Sequence, residues 1–143
     1  MRTSLAALAL AATLLSVTAL GSQAAASKAV VQLHPPMHTH MMSITHSKGT
    51  ARISYTAHDA DIRLSTTKLP NPSTLHASVY VLWLVTGNHK MNAGSFMVHN
   101  GMGALHKMLM NTTFNQLVVT AEKQGSAMHP MGTQVLLGTV PRH

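Results

Sequence analysis

One stretch, "SVYVLWLVTG" at residues 78–87, restricts the fold more than any other. Its central residues 79–85 are apolar without interruption, the run is rich in Val, Tyr and Trp, and it closes on a glycine. Such a run is too short for an ordinary globular helix and has the composition of a strand. Side chains alternate along a strand, so Val81, Trp83 and Val85 fall on one face and Leu82 and Leu84 on the other. Both faces then need cover. This strand belongs in the middle of a layered β structure.

The neighbouring segments agree with that placement. "GTARISYTA" at 49–57 alternates with Ile53 and Tyr55 on one face, and "DIRLSTTKL" at 61–69 puts Ile62 and Leu64 together. "HDA" at 58–60 supplies a polar turn between them, and "LPNPS" breaks the chain because proline cannot donate in a central ladder. Further strands are predicted from "GSFMVHNG" at 94–101, "NQLVVTAEK" at 115–123 and "TQVLLGTV" at 133–140. "GALHKMLM" at 103–110 places Leu105 and Leu109 four apart, which suits a helical turn, but it fits another strand equally. There is no internal repeat. Short strands at regular spacing predict an all-β protein, an Ig-like antiparallel β-sandwich over residues 49–143.

Upstream of this domain the chain opens "MRTSLAALALAATLLSVTALGSQAAASK". A basic Arg2, an almost wholly apolar run at 5–20 and small-residue cleavage patterns at 22–26 read as a secretory signal peptide covering 1–26. A retained membrane anchor is the competing reading, and the apolar run is short of the roughly 20 residues that a span needs. No membrane span is expected after cleavage. Residues 27–48 then form a flexible Met/His-rich arm. The chain holds no cysteine, so packing replaces disulfides and thiolate metal ligands are excluded. Only Asp59, Asp61 and Glu122 oppose ten Lys and Arg. Because these cations are dispersed along the chain, a dedicated nucleic-acid surface is not expected.

The order of the pieces "KLPNP", "YVLWLVTGNHKMNAGSF" and "LVVTAEKQGSAMHPMGTQVLLGTV" resembles the extracytoplasmic C-terminal domain of anti-sigma-K factors. In that family a Leu-Pro turn leads into a Tyr-x-Leu-Trp-Leu strand and an Ala-Gly-x-Phe step, here Leu69-Pro70, residues 80–84 and residues 93–96. Residues 119–122, Gly125-Ser126 and residues 135–138 fit the closing strands and their loop, while the usual prolines and Thr of that loop are largely replaced by Met128, His129 and Met131. The resemblance covers about residues 49–140 and implies a β-sandwich that does not itself bind the sigma factor. In the family the sigma-binding helical domain is cytosolic and joined through a membrane span; a free, secreted copy of the sensor-side domain is the expectation here.

No chemistry of catalysis is spelled out. There is no Gly-x-Ser-x-Gly elbow, no His-Glu-x-x-His pair and no glycine-rich phosphate loop, and the three acids occupy only two places, so no enzyme activity is expected. Metal binding is the sharper expectation. Thioethers favour Cu(I), and imidazoles accept copper or zinc, so Met and His without Cys and nearly without carboxylates select copper. "HPPMHTHMMSITH" at 34–46 offers His34, Met37, His38, His40, Met41, Met42 and His46. If residues 37–44 are extended, His38, His40 and Met42 share one face and Met37 and Met41 the other. The alternative for this stretch is an arm that His and Met merely keep soluble.

A second set is Met128, His129 and Met131 in a loop without core to fill, which suits metal ligation and exposed surface recognition equally. A third group, Met97, His99, Met102, His106, Met108 and Met110, reads better as core, because methionine fills gaps where aromatics are few. His58 beside Asp59 and Asp61 reads as turn capping, and His76 and His89 as solvated connections. The combined expectation is an exported, non-catalytic sandwich, secreted or in the cell envelope, that binds copper, Cu(I) foremost, as scavenger, buffer or carrier. The rival expectation is a metal-free sensing or interaction module whose partner is an envelope protein.

Overall fold

In the computed structural model, which describes residues 27–142, the chain is almost entirely strand. The strands are β1 (Ser27–Leu33), β2 (Lys48–Tyr55), β3 (Asp59–Thr67), β4 (Val79–Thr86), β5 (His89–Phe96), β6 (Val98–His99), β7 (Met102–Met110), β8 (Gln116–Glu122) and β9 (Thr133–Thr139). They form two antiparallel sheets, ordered β1-β2-β3-β7-β6 and β5-β4-β8-β9. The signal-segment expectation falls on residues 1–26 and lies outside the described residues.

Period-two alternation builds the space between the sheets. Val31, Leu33, Ala51, Ile53, Ile62 and Leu64 face inward from the first sheet and meet Tyr80, Leu82, Leu84, Leu117, Val119 and Leu136 from the second. Burial of this kind contributes about 25 cal/mol per Å² of apolar surface removed from water. Both faces of β4 are covered, as its sequence requires: Val81, Trp83 and Val85 form a separate outer cluster with Val118. One register shift, where Leu82 pairs Gly94 but Trp83 pairs Asn92, marks a bulge in β5, and Gly94 takes it with a φ of 131°.

Two expectations are corrected and one open alternative is decided. The arm does not begin at residue 27, because "SKAVVQL" is strand β1, pairing Val31 with Ala51 and Leu33 with Gly49. Its Val31 and Leu33 are buried on the inner face, and that alternation was hidden by the Met/His run that follows. The sandwich therefore starts at Ser27 rather than at residue 49. The strand expected at 94–101 is shifted upstream into β5, because Gly87, with a φ of 60°, and Asn88 make a two-residue hairpin turn that pairs Thr86 with His89. Residues 103–110, left open between helix and strand, lie in β7.

Residues 37–44 are not extended either. A turn closes by Thr39 N–H donating to the Pro36 carbonyl at 3.2 Å, and Met42–Ile44 is a single 3₁₀ turn. Period two therefore does not hold there, and the two-face division of His38, His40 and Met42 against Met37 and Met41 is lost. Ile44 plugs into the core and the Ser47 hydroxyl donates to the Lys68 carbonyl at 2.7 Å, so the segment is tied at its C-terminal side.

Candidate metal centre

The methionines are on the surface. All ten in the described residues are at least 40% exposed, with Met37 at 94% and Met131 at 89%. This corrects the reading of Met97, Met102, Met108 and Met110 as core; the core is filled instead by Val, Leu and Ile with Tyr80, Trp83 and Phe96. On β7 the outward positions are Met102, Ala104, His106, Met108 and Met110, an alternation that the Leu105 and Leu109 spacing concealed. Large apolar side chains left in water at every occurrence need another explanation than packing.

Topology decides which of them are neighbours. His34 pairs antiparallel with Leu137, its N–H donating to the Leu137 carbonyl at 2.9 Å and its carbonyl accepting from Leu137 N–H at 2.8 Å. The chain beyond His34 therefore runs toward Thr133, the start of β9, and so toward the β8–β9 loop. The β3–β4 crossover returns at the same end, since Thr67 pairs with Lys48 through the β2–β3 register and Val79 pairs with Glu122. One end of the sandwich thus gathers His34, Met37, His38, His40, Met41, Met42 and His46 with Met128, His129 and Met131. His58, His89, Met91 and Met110 sit at the opposite end.

The loop between β8 and β9 is built from below. Thr120 and Glu122 follow Val118 on the outer face of β8, beside Trp83. The Trp83 indole N–H donates to the Thr120 hydroxyl at 2.7 Å, and that hydroxyl donates in turn to the Glu122 carboxylate at 2.5 Å. The same carboxylate accepts the backbone N–H groups of Met131, at 3.2 Å, and Gly132, at 3.1 Å. On the other flank the Asn92 amide donates to the carbonyls of Gly125 and Ala127, both at 2.9 Å. The loop backbone is pinned over Trp83 while Met128, His129 and Met131 point to solvent. Burying a carboxylate is costly unless its oxygens are bonded, and here two amides, each reaching both oxygens, and one hydroxyl answer it.

Beside the loop lies an open cleft of about 730 Å³. It is lined by Met128, His129 and Met131 of the loop, by Leu75 and His76 of the crossover, and by Ala121 and Glu122 at the end of β8. His76, assigned to a plain connection from sequence, is thus the fourth soft or borderline donor of this cleft. It ends the 3₁₀ turn Pro72–Leu75 in the left-handed conformation, φ 58°, with its N–H on the Ser73 carbonyl at 3.0 Å. Nothing in its sequence neighbourhood separates it from any exposed histidine. Among the described residues no three of His, Asp or Glu converge as a metal-holding group, so only donor sets that include methionine remain at this end. Elsewhere, His106 contacts the Asp61 carboxylate, and that hydrogen bond, with Arg63 at 3.4 Å, holds the Asp61 carboxyl below its ordinary range.

The family described as anti-sigma-K factor rskA, C-terminal, matches residues 3–135. This chain belongs to that family. The match reaches well upstream of the 49–140 that the strand motifs alone suggested, taking in β1, the Met/His segment and the apolar run at 5–20. No curated protein and no solved structure matches the chain. In anti-sigma-K factor C-terminal terms, the cleft is bounded by the closing loop and by the crossover that carries the Leu-Pro turn, Leu69-Pro70. Among the described residues no helix is long and apolar enough to cross a membrane.

Proposed function

We propose that this family member is an exported, non-catalytic β-sandwich that binds copper, Cu(I) in preference to Zn(II), as a scavenger, buffer or carrier outside the cytoplasm. The observation that carries the reading is the exposure of every described methionine in a chain with no cysteine. Thioether sulfur is a soft ligand, imidazole adds borderline nitrogen, and the carboxylates that would favour harder ions are three in number, Glu122 being buried and occupied. The ligands belong to two sets at one end of the sandwich: His34, Met37, His38, His40, Met41, Met42 and His46 on the segment after β1, and Met128, His129 and Met131 on the closing loop. A competition titration of Cu(I) against a chromophoric chelator at neutral pH tests it. Binding above the level of an unfolded Met/His peptide supports the reading; binding at that level removes it.

A second reading has its own support. Membership in the anti-sigma-K factor C-terminal family fits a sensing or interaction module, and exposed methionines adapt to many protein surfaces. On that reading the partner is an envelope protein and the same titration is negative. Complex formation that survives removal of all metal would favour it.

A further inference from the structure

We infer that His76, Met128, His129 and Met131 form a single soft-metal site of two imidazoles and two thioethers, with Glu122 as the residue that positions its loop half. The inference rests on the copper reading and goes past it, to one cleft and one ligand that the sequence pattern did not single out.

The two sides of the cleft come from chain segments about fifty residues apart, and each is held independently of any ion. On the loop side, Glu122 accepts the amides of Met131 and Gly132, and a Cβ on Gly132 would meet the Ala121 carbonyl oxygen at 1.6 Å. The loop backbone is therefore pressed against β8 with no room for a side chain at that step, and Met131, next to it, is turned outward. On the crossover side, His76 occupies a helix-ending position at φ 58° where glycine carries no steric penalty. Leu75 beside it is buried and fixes the turn. An exposed imidazole held in the left-handed region on a cleft also lined by two thioethers and a second imidazole is available for ligation, and it has no hydrogen-bonding role in the turn that only a histidine side chain could fill.

Ligand chemistry selects the ion. Glu122 is the carboxylate among the cleft's lining residues, and its oxygens are engaged by amide N–H groups and the Thr120 hydroxyl, so it is withheld from a metal. What remains is two sulfurs and two nitrogens, without the thiolate or carboxylate that zinc prefers. The ion taken is Cu(I), and Ag(I) serves as an air-stable probe of the same softness.

The test uses the exported protein and the two metals alone. Cu(I) affinity and stoichiometry are measured by chelator competition for the wild type, His76→Asn, the double variant Met128→Leu/Met131→Leu, and Glu122→Gln. Asparagine tolerates the left-handed conformation, so His76→Asn should keep its melting temperature, and His76→Gly is the second variant should it not. The expected result is one tight equivalent in the wild type, weakened at least ~10-fold by His76→Asn and by the double variant, with an X-ray absorption spectrum that loses nitrogen in the first and sulfur in the second. Glu122→Gln should weaken binding roughly 10–100-fold, as loss of a positioning group does. Its bound spectrum should be unchanged while amide exchange at Met131 and Gly132 quickens, which a ligand's loss would not produce. Wild-type binding that His76→Asn and His76→Gly leave intact overturns this site and leaves the copper reading standing. A wild type that takes up neither Cu(I) nor Ag(I) removes both.

Discussion

Trp83 is fully buried, and its indole N–H is satisfied by Thr120 at 2.7 Å. Truncation to alanine leaves a cavity and takes the indole donor from the Thr120 hydroxyl, which keeps only its bond to Glu122, so Trp83→Ala should cost about 3–5 kcal/mol in a chemical denaturation experiment. A loss under about 1 kcal/mol would mean that the outer face of β4 is not sealed by the loop. Tyr80, on the opposite face of the same strand, donates its hydroxyl to the Pro70 carbonyl at 2.6 Å and stacks on Phe96 at 5.7 Å. Burial pushes its phenol up from 10.0 to about 12. The folded value is the higher one, so the phenol's contribution to stability is whole below pH 10 and is lost as pH rises toward 12. Alkaline unfolding followed by tryptophan fluorescence should fall steeply across that window, and Tyr80→Phe should flatten the fall. An identical alkaline profile for the variant would remove Tyr80 as its source.

At the scale of elements, the β8–β9 loop has two roles that pull on one backbone. It covers Trp83 from outside and presents Met128, His129 and Met131 to solvent. Gly132→Ala tests their linkage, because the added methyl meets the Ala121 backbone and cannot be absorbed by a side-chain rotation. The loop should lift, lowering stability by on the order of 1–3 kcal/mol and shifting Trp83 emission to the red. Unchanged emission would mean the loop is not the lid. The segment after β1 behaves differently: Ile44 anchors it while His38, His40 and Met42 are exposed. Replacing those three together should reduce Cu(I) uptake without changing the melting temperature, and leave the tight equivalent of the cleft in place. A drop in melting temperature on that replacement would mean the segment is part of the packed sandwich beyond Ile44.

For the whole molecule, the place of work proposed above depends on the signal peptide expected at residues 1–26. Mass spectrometry of the exported protein should find its N-terminus between Ala25 and Ser27; intact residues 1–26 in a membrane fraction would make the apolar run an anchor and the sandwich a tethered domain. The sequence by itself determined the fold class, since the period-two runs and the doubly covered strand at 78–87 admit little else. It also determined the chemistry on offer, Met and His without Cys, and the positions Val81, Trp83 and Val85 against Leu82 and Leu84. Composition is a property of the chain, and alternation is a property of neighbours two apart, so both are readable along one dimension. Tertiary structure alone decided that the methionines of β7 face water, because Leu105 and Leu109 turn inward and leave the alternate positions outside. It alone decided that Ser27–Leu33 joins the sheet, through pairing with a strand some twenty residues on. And it alone placed His76 on the same cleft as Met128, His129 and Met131, for that placement depends on two sheet registers and a crossover returning to the same end, a sum of long-range pairings that no local spacing records.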